Sequence, residues 1–303
     1  MADALLKFLF RDAPVRGEIV RLQASWRQMV ANHRYPAPVT RLLGEMTAAA
    51  ALLAANIKFD GALILQIQGN GPVRLLVVEV QPGMRLRATA KLRDTAVIEA
   101  QATLQQLTNP NGEARCAITL DPTGRRPGQQ PYQGVVPLAG ETIAQVLENY
   151  LRQSEQIESK LWLAADEHVA AGVLLQKLPQ EGGGAARPDV DAWQRVGALT
   201  ATLTREELLS LAPEALAHRL YWEEQLEHFA PVEPRFECTC SRERSGRMLL
   251  ALGREEVESI LAERNHVEIT CDFCNARYAF DAVDVGHLFA AGATREADAS
   301  TRH

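Results

Sequence analysis

The sequence predicts an α+β protein with a large N-terminal domain of mixed sheet and helix, a helical linker region and a small C-terminal domain of different make-up. Three observations carry this. Alternating apolar and polar runs recur between helical patterns through the first 180 residues. A break rich in glycine and proline follows. Four of the five cysteines then fall within the last 66 residues. A length of 303 residues suits about two domains, and 47% hydrophobic with 23% charged residues is ordinary globular composition, which excludes wholesale disorder.

The elements follow in order. Phe8–Phe10 and Glu18–Leu22 read as early strands. Tyr35-Pro36-Ala37-Pro38 is a turn leading into a helix that runs to Ile57. Its Ala-rich stretch Met46–Ile57, bounded by Glu45 and Lys58, is too short for a membrane span of about 20 residues and reads as a buried helix. Leu63, Leu65 and Ile67 alternate with Ile64, Gln66 and Gln68, and Gly69-Asn70-Gly71-Pro72 supplies the turn of a hairpin. Two further alternating runs are Met84–Lys91 and Ala114, Cys116, Ile118, Leu120. Ile143, Val146, Leu147, Tyr150 and Leu151 keep helical spacing, and strands follow at Lys160–Ala165 and Val169–Leu178. Residues 1–180 thus form one α+β domain, large enough to bury its own core.

Residues 181–230 are expected to be a flexible, metastable helical linker. It opens on Pro179–Asp191, with three successive glycines and two prolines. Thr204 and Glu207 make a capping box ahead of Leu208, Leu209 and Leu211. Pro213 opens another helix, with Leu216, Leu220 and Leu226 on one side and an end near Phe229. Such short, charged helices depend on docking against the first domain. Residues 231–290 form the cysteine domain, with an apolar stripe Val257, Ile260, Leu261 and a last short helix after Asp281. Residues 291–303 read as a disordered tail.

The cysteines run Cys238-X-Cys240, 30 intervening residues, then Cys271-X-X-Cys274. Two close thiol pairs separated by a small folded unit can converge on one tetrahedral zinc. A region this small gains from such a staple, and four protein ligands leave no open position for catalysis. A purely structural zinc knuckle fits the spacing. So does a redox switch: Cys-X-Cys is tighter than usual ligand spacing, each pair is near enough for a local disulfide, and Arg235, Arg242, Arg244 and Arg247 lie around the first pair in sequence, where cations favour thiolate. Cys116, alone on a strand face, is expected to pack in the core.

Other chemistries fail on the residues. Net charge is −6, and residues 232–303 carry 9 Lys and Arg against 13 Asp and Glu, which disfavours nucleic acid. Gly69-Asn70-Gly71 has neither the Walker Lys-Ser/Thr nor the G-x-G-x-x-G spacing. A zinc deaminase needs His-X-Glu ahead of Pro-Cys-X-X-Cys; His266-Val267-Glu268 stands just before the second pair, but Thr270 takes the place of the proline ahead of Cys271. A thioredoxin-like site would put Cys-X-X-Cys at a helix start, whereas Asn275–Phe280 looks like a hairpin strand. His228, His266 and His287 read as surface or capping residues, and no Ser/His/Asp constellation stands out. The chain lacks a signal-peptide pattern at its start, so a cytoplasmic, non-enzymatic protein without membrane association is expected.

Nearly the whole length resembles the redox-regulated 33 kDa heat-shock chaperones, bacterial holdases. The resemblance rests on Tyr35-Pro36, Leu42-Leu43-Gly44-Glu45, Ile57-Lys58-Phe59, Gln68-Gly69 with Gly71-Pro72, Tyr132-Gln133-Gly134, Gly140-Glu141, Tyr150 and Ser154-Glu155-Gln156. It continues through Cys238-Thr239-Cys240-Ser241-Arg242-Glu243-Arg244 and Cys271-Asp272-Phe273-Cys274 with Tyr278 and Phe280. One departure is Ala170-Ala171-Gly172, where the family often has a Gly pair after the first Ala. The resemblance implies that Cys238, Cys240, Cys271 and Cys274 hold one zinc in a reduced, inactive state. Oxidation would form disulfides Cys238–Cys240 and Cys271–Cys274, release zinc and unfold the linker. The oxidised protein would be a homodimer that holds unfolding client proteins without ATP, with thioredoxin or glutaredoxin systems reducing it. Candidate linker and client-contact residues are Leu208, Leu209, Leu216, Leu220, Trp222, Leu226 and Phe229. The competing expectations are a constitutive interaction module with structural zinc and a thiol oxidoreductase.

Overall fold

The computed structural model describes residues 3–57, 59–94, 97–124, 128, 130–179 and 191–290. It divides into two compact units, Met1–Glu237 and Cys238–His303. The glycine run and the C-terminal tail expected from the sequence lie outside the described residues.

The first unit is α+β, as its patterning predicts, and is built on two sheets. One has the order β10-β1-β2-β9-β8, from β1 (Ala4–Phe10), β2 (Val15–Leu22), β8 (Ser159–Ala165), β9 (Ala170–Lys177) and β10 (Leu226–His228). The other runs β11-β5-β4-β3-β6-β7, from β3 (Gly61–Gln68), β4 (Val73–Gln81), β5 (Arg85–Leu92), β6 (Arg115–Pro122), β7 (Tyr132–Pro137) and β11 (Arg235–Phe236). The β3–β4 hairpin has the register Leu63↔Val80 to Gln68↔Leu75.

Helix α2 (Ala37–Ala54) packs against strands of both sheets, and Ala48, Ala49, Ala50, Ala51 and Leu52 are fully buried. A helix covered on all sides is apolar all round, which is why this stretch resembles a membrane segment in composition. Gly44 permits the close approach. A Cβ there would lie 2.4 Å from the Ala165 Cβ and 3.0 Å from Trp26.

The opposite face of the first sheet carries α5 (Ala192–Thr200), α6 (Arg205–Ser210) and α7 (Pro213–Tyr221). Strand β1 feeds both sides by its period of two. Leu5 joins the α2 core, while Leu6, Phe8 and Phe10 pack with Val196, Leu208, Leu216, Leu220 and Tyr221. The Tyr221 ring lies 5.0 Å from Phe10 and 5.6 Å from Phe8, and its hydroxyl meets Thr200 Oγ1 at 2.6 Å. Thr204 and Glu207 make the expected capping box, and Arg205 donates to the Ala165 carbonyl.

Some elements differ from expectation. The helix opened by Pro213 stops at Tyr221 rather than near Phe229, and Leu226–His228 is a strand on the edge of β1. The open donors and acceptors of that edge override a weak helical pattern. Helix α1 (Ala24–Val30) escapes sequence reading because its cap is remote: the Asp3 carboxylate accepts from the amides of Gln23, Ala24 and Ser25 at 2.5–2.8 Å. Helix α3 (Leu104–Thr108) has a capping box, Thr103 with Gln106, that the reading passed over. Helix α4 (Ile143–Ser154) lies where its spacing places it.

The second unit packs α8 (Arg242–Leu252), α9 (Arg254–Arg264), the hairpin β12 (Val267–Thr270) with β13 (Arg277–Phe280), and a helix over 282–290. Its core is small: Leu249, Val257, Val267, Phe280 and Val285 are its buried apolar residues. The α8–α9 junction needs Gly253, whose φ is 97°, a conformation open to glycine.

Candidate metal centre

Each thiol pair is set by local structure. Cys238 and Cys240 lie in the extended segment ahead of α8. The helix begins immediately after them because Ser241 caps it, accepting from the Arg244 amide at 3.2 Å. Arg244 reaches back to the Thr239 carbonyl (2.9 Å) and hydroxyl (2.6 Å), which holds the residue between the two cysteines. Cys271 and Cys274 lie in the turn of the β12–β13 hairpin, closed by Thr270↔Arg277. There the Cys271 amide donates to Ala276 O at 2.9 Å and the Asn275 amide to Cys271 O at 2.8 Å. Asn275 sits at φ 57°, a left-handed position that Asn tolerates.

The four Sγ atoms all lie within 4.8 Å of one another. Across the pairs, Cys240 lies 3.4 Å from Cys274 and Cys238 lies 3.6 Å from Cys271. Four sulfurs at about 2.3 Å from a central zinc would stand about 3.8 Å apart, so the cluster has the right dimensions for one tetrahedral thiolate site. Among the described residues these cysteines are the group of His, Cys, Asp and Glu side chains placed to hold a metal ion.

The electrostatics agree with a cation site. Burial acts to raise each of the three cluster thiols whose acidity moves, Cys238, Cys240 and Cys274. Cys238 and Cys274 stay above the ordinary thiol range, with neighbouring cysteines adding to the rise. At Cys240 burial is outweighed by hydrogen bonds, first that from the Tyr278 hydroxyl at 3.1 Å, and the thiol falls below the ordinary range. Four crowded sulfurs cannot all ionise without a compensating positive charge, which a bound ion supplies. Two of the arginines are engaged elsewhere. Arg242 donates to Ala279 O (2.6 Å), pairs with Asp284 (2.6 Å) and lies 4.4 Å above the Phe280 ring. Arg235 pairs with Glu237 at 3.3 Å.

Cys116 is apart from this cluster. It is fully buried in the first unit's core, and burial pushes its thiol up to about 12. The linker candidates divide by exposure. Leu208, Leu216 and Leu220 are buried against the sheet, and Leu209 and Leu226 are partly buried beside them. Trp222 and Phe229 are exposed, at 69% and 44%. Sequence reasoning missed Tyr221 and Val196, which share the buried face; the helical spacing Ala217, Leu220, Tyr221 was the available signal.

Comparison with known proteins gives consistent matches. The family model described as Hsp33 protein matches residues 3–281. The 33 kDa chaperonin of Ectopseudomonas mendocina is 47% identical over 304 residues, covering 100% of both chains. That of Methylobacillus flagellatus is 46% identical over 290 residues, covering 95% of each. The crystal structure of the 33 kDa chaperonin (heat shock protein 33 homolog) of Thermotoga maritima matches with a TM-score of 0.77 at 21% identity, covering 96% of this chain and 99% of that one. On the strength of a full-length family match and relatives near half identity, the chain belongs to the Hsp33 family of chaperones.

Proposed function

We propose that this chain is a redox-regulated, ATP-independent holdase of the cytoplasm and not an enzyme. The observation that carries the reading is the convergence of four Sγ atoms, from two segments, within 4.8 Å. Cys238, Cys240, Cys271 and Cys274 would hold one zinc ion, which when bound neutralises the thiolates and ties the two segments together. Among its described residues the second unit has five buried apolar residues, so its order leans on that tie.

Oxidation removes the donors. Four thiolates become two disulfides and give up four electrons, taken by two equivalents of a two-electron oxidant such as peroxide or hypochlorous acid. In the pairing that the family resemblance implies, Cys238 bonds to Cys240 and Cys271 to Cys274. The second unit then loses its cross-link, and the chain that follows the helices from Ala192 to Tyr221 is no longer anchored beyond Glu237, which in this reading frees them to undock. Their release would uncover Leu208, Leu216 and Leu220 together with the face of the sheet beneath them, an apolar surface suited to non-native chains. Trp222 and Phe229 stand at its margin already. The oxidised holdase is read as a homodimer, returned to its resting state by a thioredoxin or glutaredoxin system. No helix among the described residues is long and apolar enough to cross a membrane.

The test is metal content and free thiols before and after mild oxidation, with suppression of client aggregation measured on the same samples. One zinc and five thiols should become no zinc and one thiol, and suppression should appear in step. Equal suppression in both states would identify a constitutive interaction module with structural zinc.

A further inference from the structure

Residues 225–237 form a strap that closes one edge of each sheet in the first unit. Gln225 O accepts from the Arg11 amide at 3.0 Å, and β10 then pairs antiparallel with β1. The Phe229 amide donates to Lys7 O at 3.0 Å, and Leu5 and Val232 exchange two hydrogen bonds of 2.9 and 3.0 Å. The strap next crosses to the other sheet. Arg235 donates to Met84 O at 3.0 Å and Glu237 to Leu86 O at 3.1 Å, with β11 parallel to β5. Without the strap, β1 and β5 would both be open edges.

Two features distinguish the strap from a core strand. It is held largely through its backbone: Glu227, His228, Phe229, Glu233 and Arg235 are exposed, Leu226, Val232 and Phe236 are partly buried, and Pro234 is the one buried residue among 225–237. Its regular pairing is also short, three residues in β10 and two in β11. An edge that recognises backbone accepts many sequences. Beside it, a cavity of about 260 Å³ is walled by Leu5, Leu63, Val80, Met84, Leu120 and Val232, so Val232 forms part of a receptacle for an apolar side chain.

We propose that the β1 and β5 edges are a client-binding site, which takes an extended segment of a non-native polypeptide by strand addition once the strap has left. The proposal rests on the redox opening described above, and the strap runs directly into Cys238, so loss of order beyond Glu237 removes its C-terminal anchor. The client backbone would take over the bonds to Leu5, Lys7 and Arg11, and an apolar client side chain would enter the space beside Leu5 and Met84. The preference follows for extended apolar segments with proline only at non-donating positions, as Pro231 and Pro234 are in the strap, because proline lacks the donor.

Amide exchange of the Leu5 and Arg11 N–H groups tests this on the full chain in three states: reduced, oxidised, and oxidised with a chemically unfolded client protein. Both amides should be protected when reduced, exchange at least tenfold faster when oxidised, and regain protection with client. A synthetic peptide of residues 225–237 in excess should reduce client holding about tenfold, and the same peptide N-methylated at 229, 232 and 235 should not. Client held with both amides still exposed, or equal competition by both peptides, overturns the site while leaving the holdase intact. Failure of the unmodified peptide to compete also overturns it. Protection that returns without client and rises with protein concentration assigns the edges to a second copy and overturns the proposal. Absence of suppression by the oxidised protein overturns the functional reading and the site with it.

Discussion

Truncating Leu220 should loosen the linker helices without unfolding the rest of the first unit. Leu220 is 3% exposed in α7 and packs in the cluster that includes Phe8, Phe10, Leu216 and Tyr221. Leu220→Ala removes buried methyl groups from a site that relaxes incompletely, at about 2–5 kcal/mol. If α5, α6 and α7 undock as a block, their open population rises by about 30- to 4,000-fold. Amide exchange in the reduced protein reads that factor directly, as faster exchange over Ala192–Tyr221 with α2 unchanged. Trp222→Ala is the internal control. Trp222 is 69% exposed, so its removal should shift exchange by no more than about twofold. The Leu220 variant should also suppress client aggregation while still reduced. Exchange no faster than in the Trp222 control, or equal acceleration in α2, would refute local docking as the basis of restraint.

Three further outcomes follow from the packing and the buried groups. Gly44→Ala places a methyl 2.4 Å from Ala165 Cβ, and should lower stability by about 1–3 kcal/mol in denaturant unfolding, with α2 pushed off β8 and β9. Cys116 should resist iodoacetamide at neutral pH in the folded protein, and mass spectrometry should find it alkylated only after denaturation, because burial raises its thiol to about 12. Glu18 on β2 is 2% exposed, and burial pushes its carboxyl up to about 7 against the opposing pull of Arg16 and Lys7. The folded state therefore holds the extra proton between the ordinary carboxyl range and pH 7, so this group's contribution to stability falls as pH rises through that window. Glu18→Gln should raise the melting temperature at pH 8 and make little difference at pH 5; an equal change at both would show that the charge is not the cause.

The sequence discloses elements whose signal is local and conceals those whose support is distant. The strands of the β3–β4 hairpin and α4 are legible because their own periodicity matches the face they bury. Helix α1 is hidden because its N-terminal amides are satisfied by Asp3, a residue outside its own segment. The strap is hidden for the same reason. Its hydrogen bonds belong to edges of β1 and β5 formed far earlier in the chain, and its own residues, with two prolines, have no strand pattern. At the candidate metal centre, spacing identifies the donor residues but not their arrangement. That sulfurs of different pairs come within 3.4–3.6 Å depends on the hairpin turn and the Ser241 cap meeting in space. The helical leucines are legible as an apolar stripe, but nothing in that stripe separates buried Leu220 from exposed Trp222 before the sheet beneath is known.

The pairing of Phe8 with His228 also bears on how the protein is made. A ribosome emits β1 about 220 residues before the segment that seals it. At about 5–20 residues per second, roughly 10–45 s separate the two. Throughout that interval the newborn chain carries a bare strand margin of the kind that invites aggregation. A protein whose trade is shielding others therefore begins life in need of shielding, and slowing translation beyond Lys177 should lengthen that hazard.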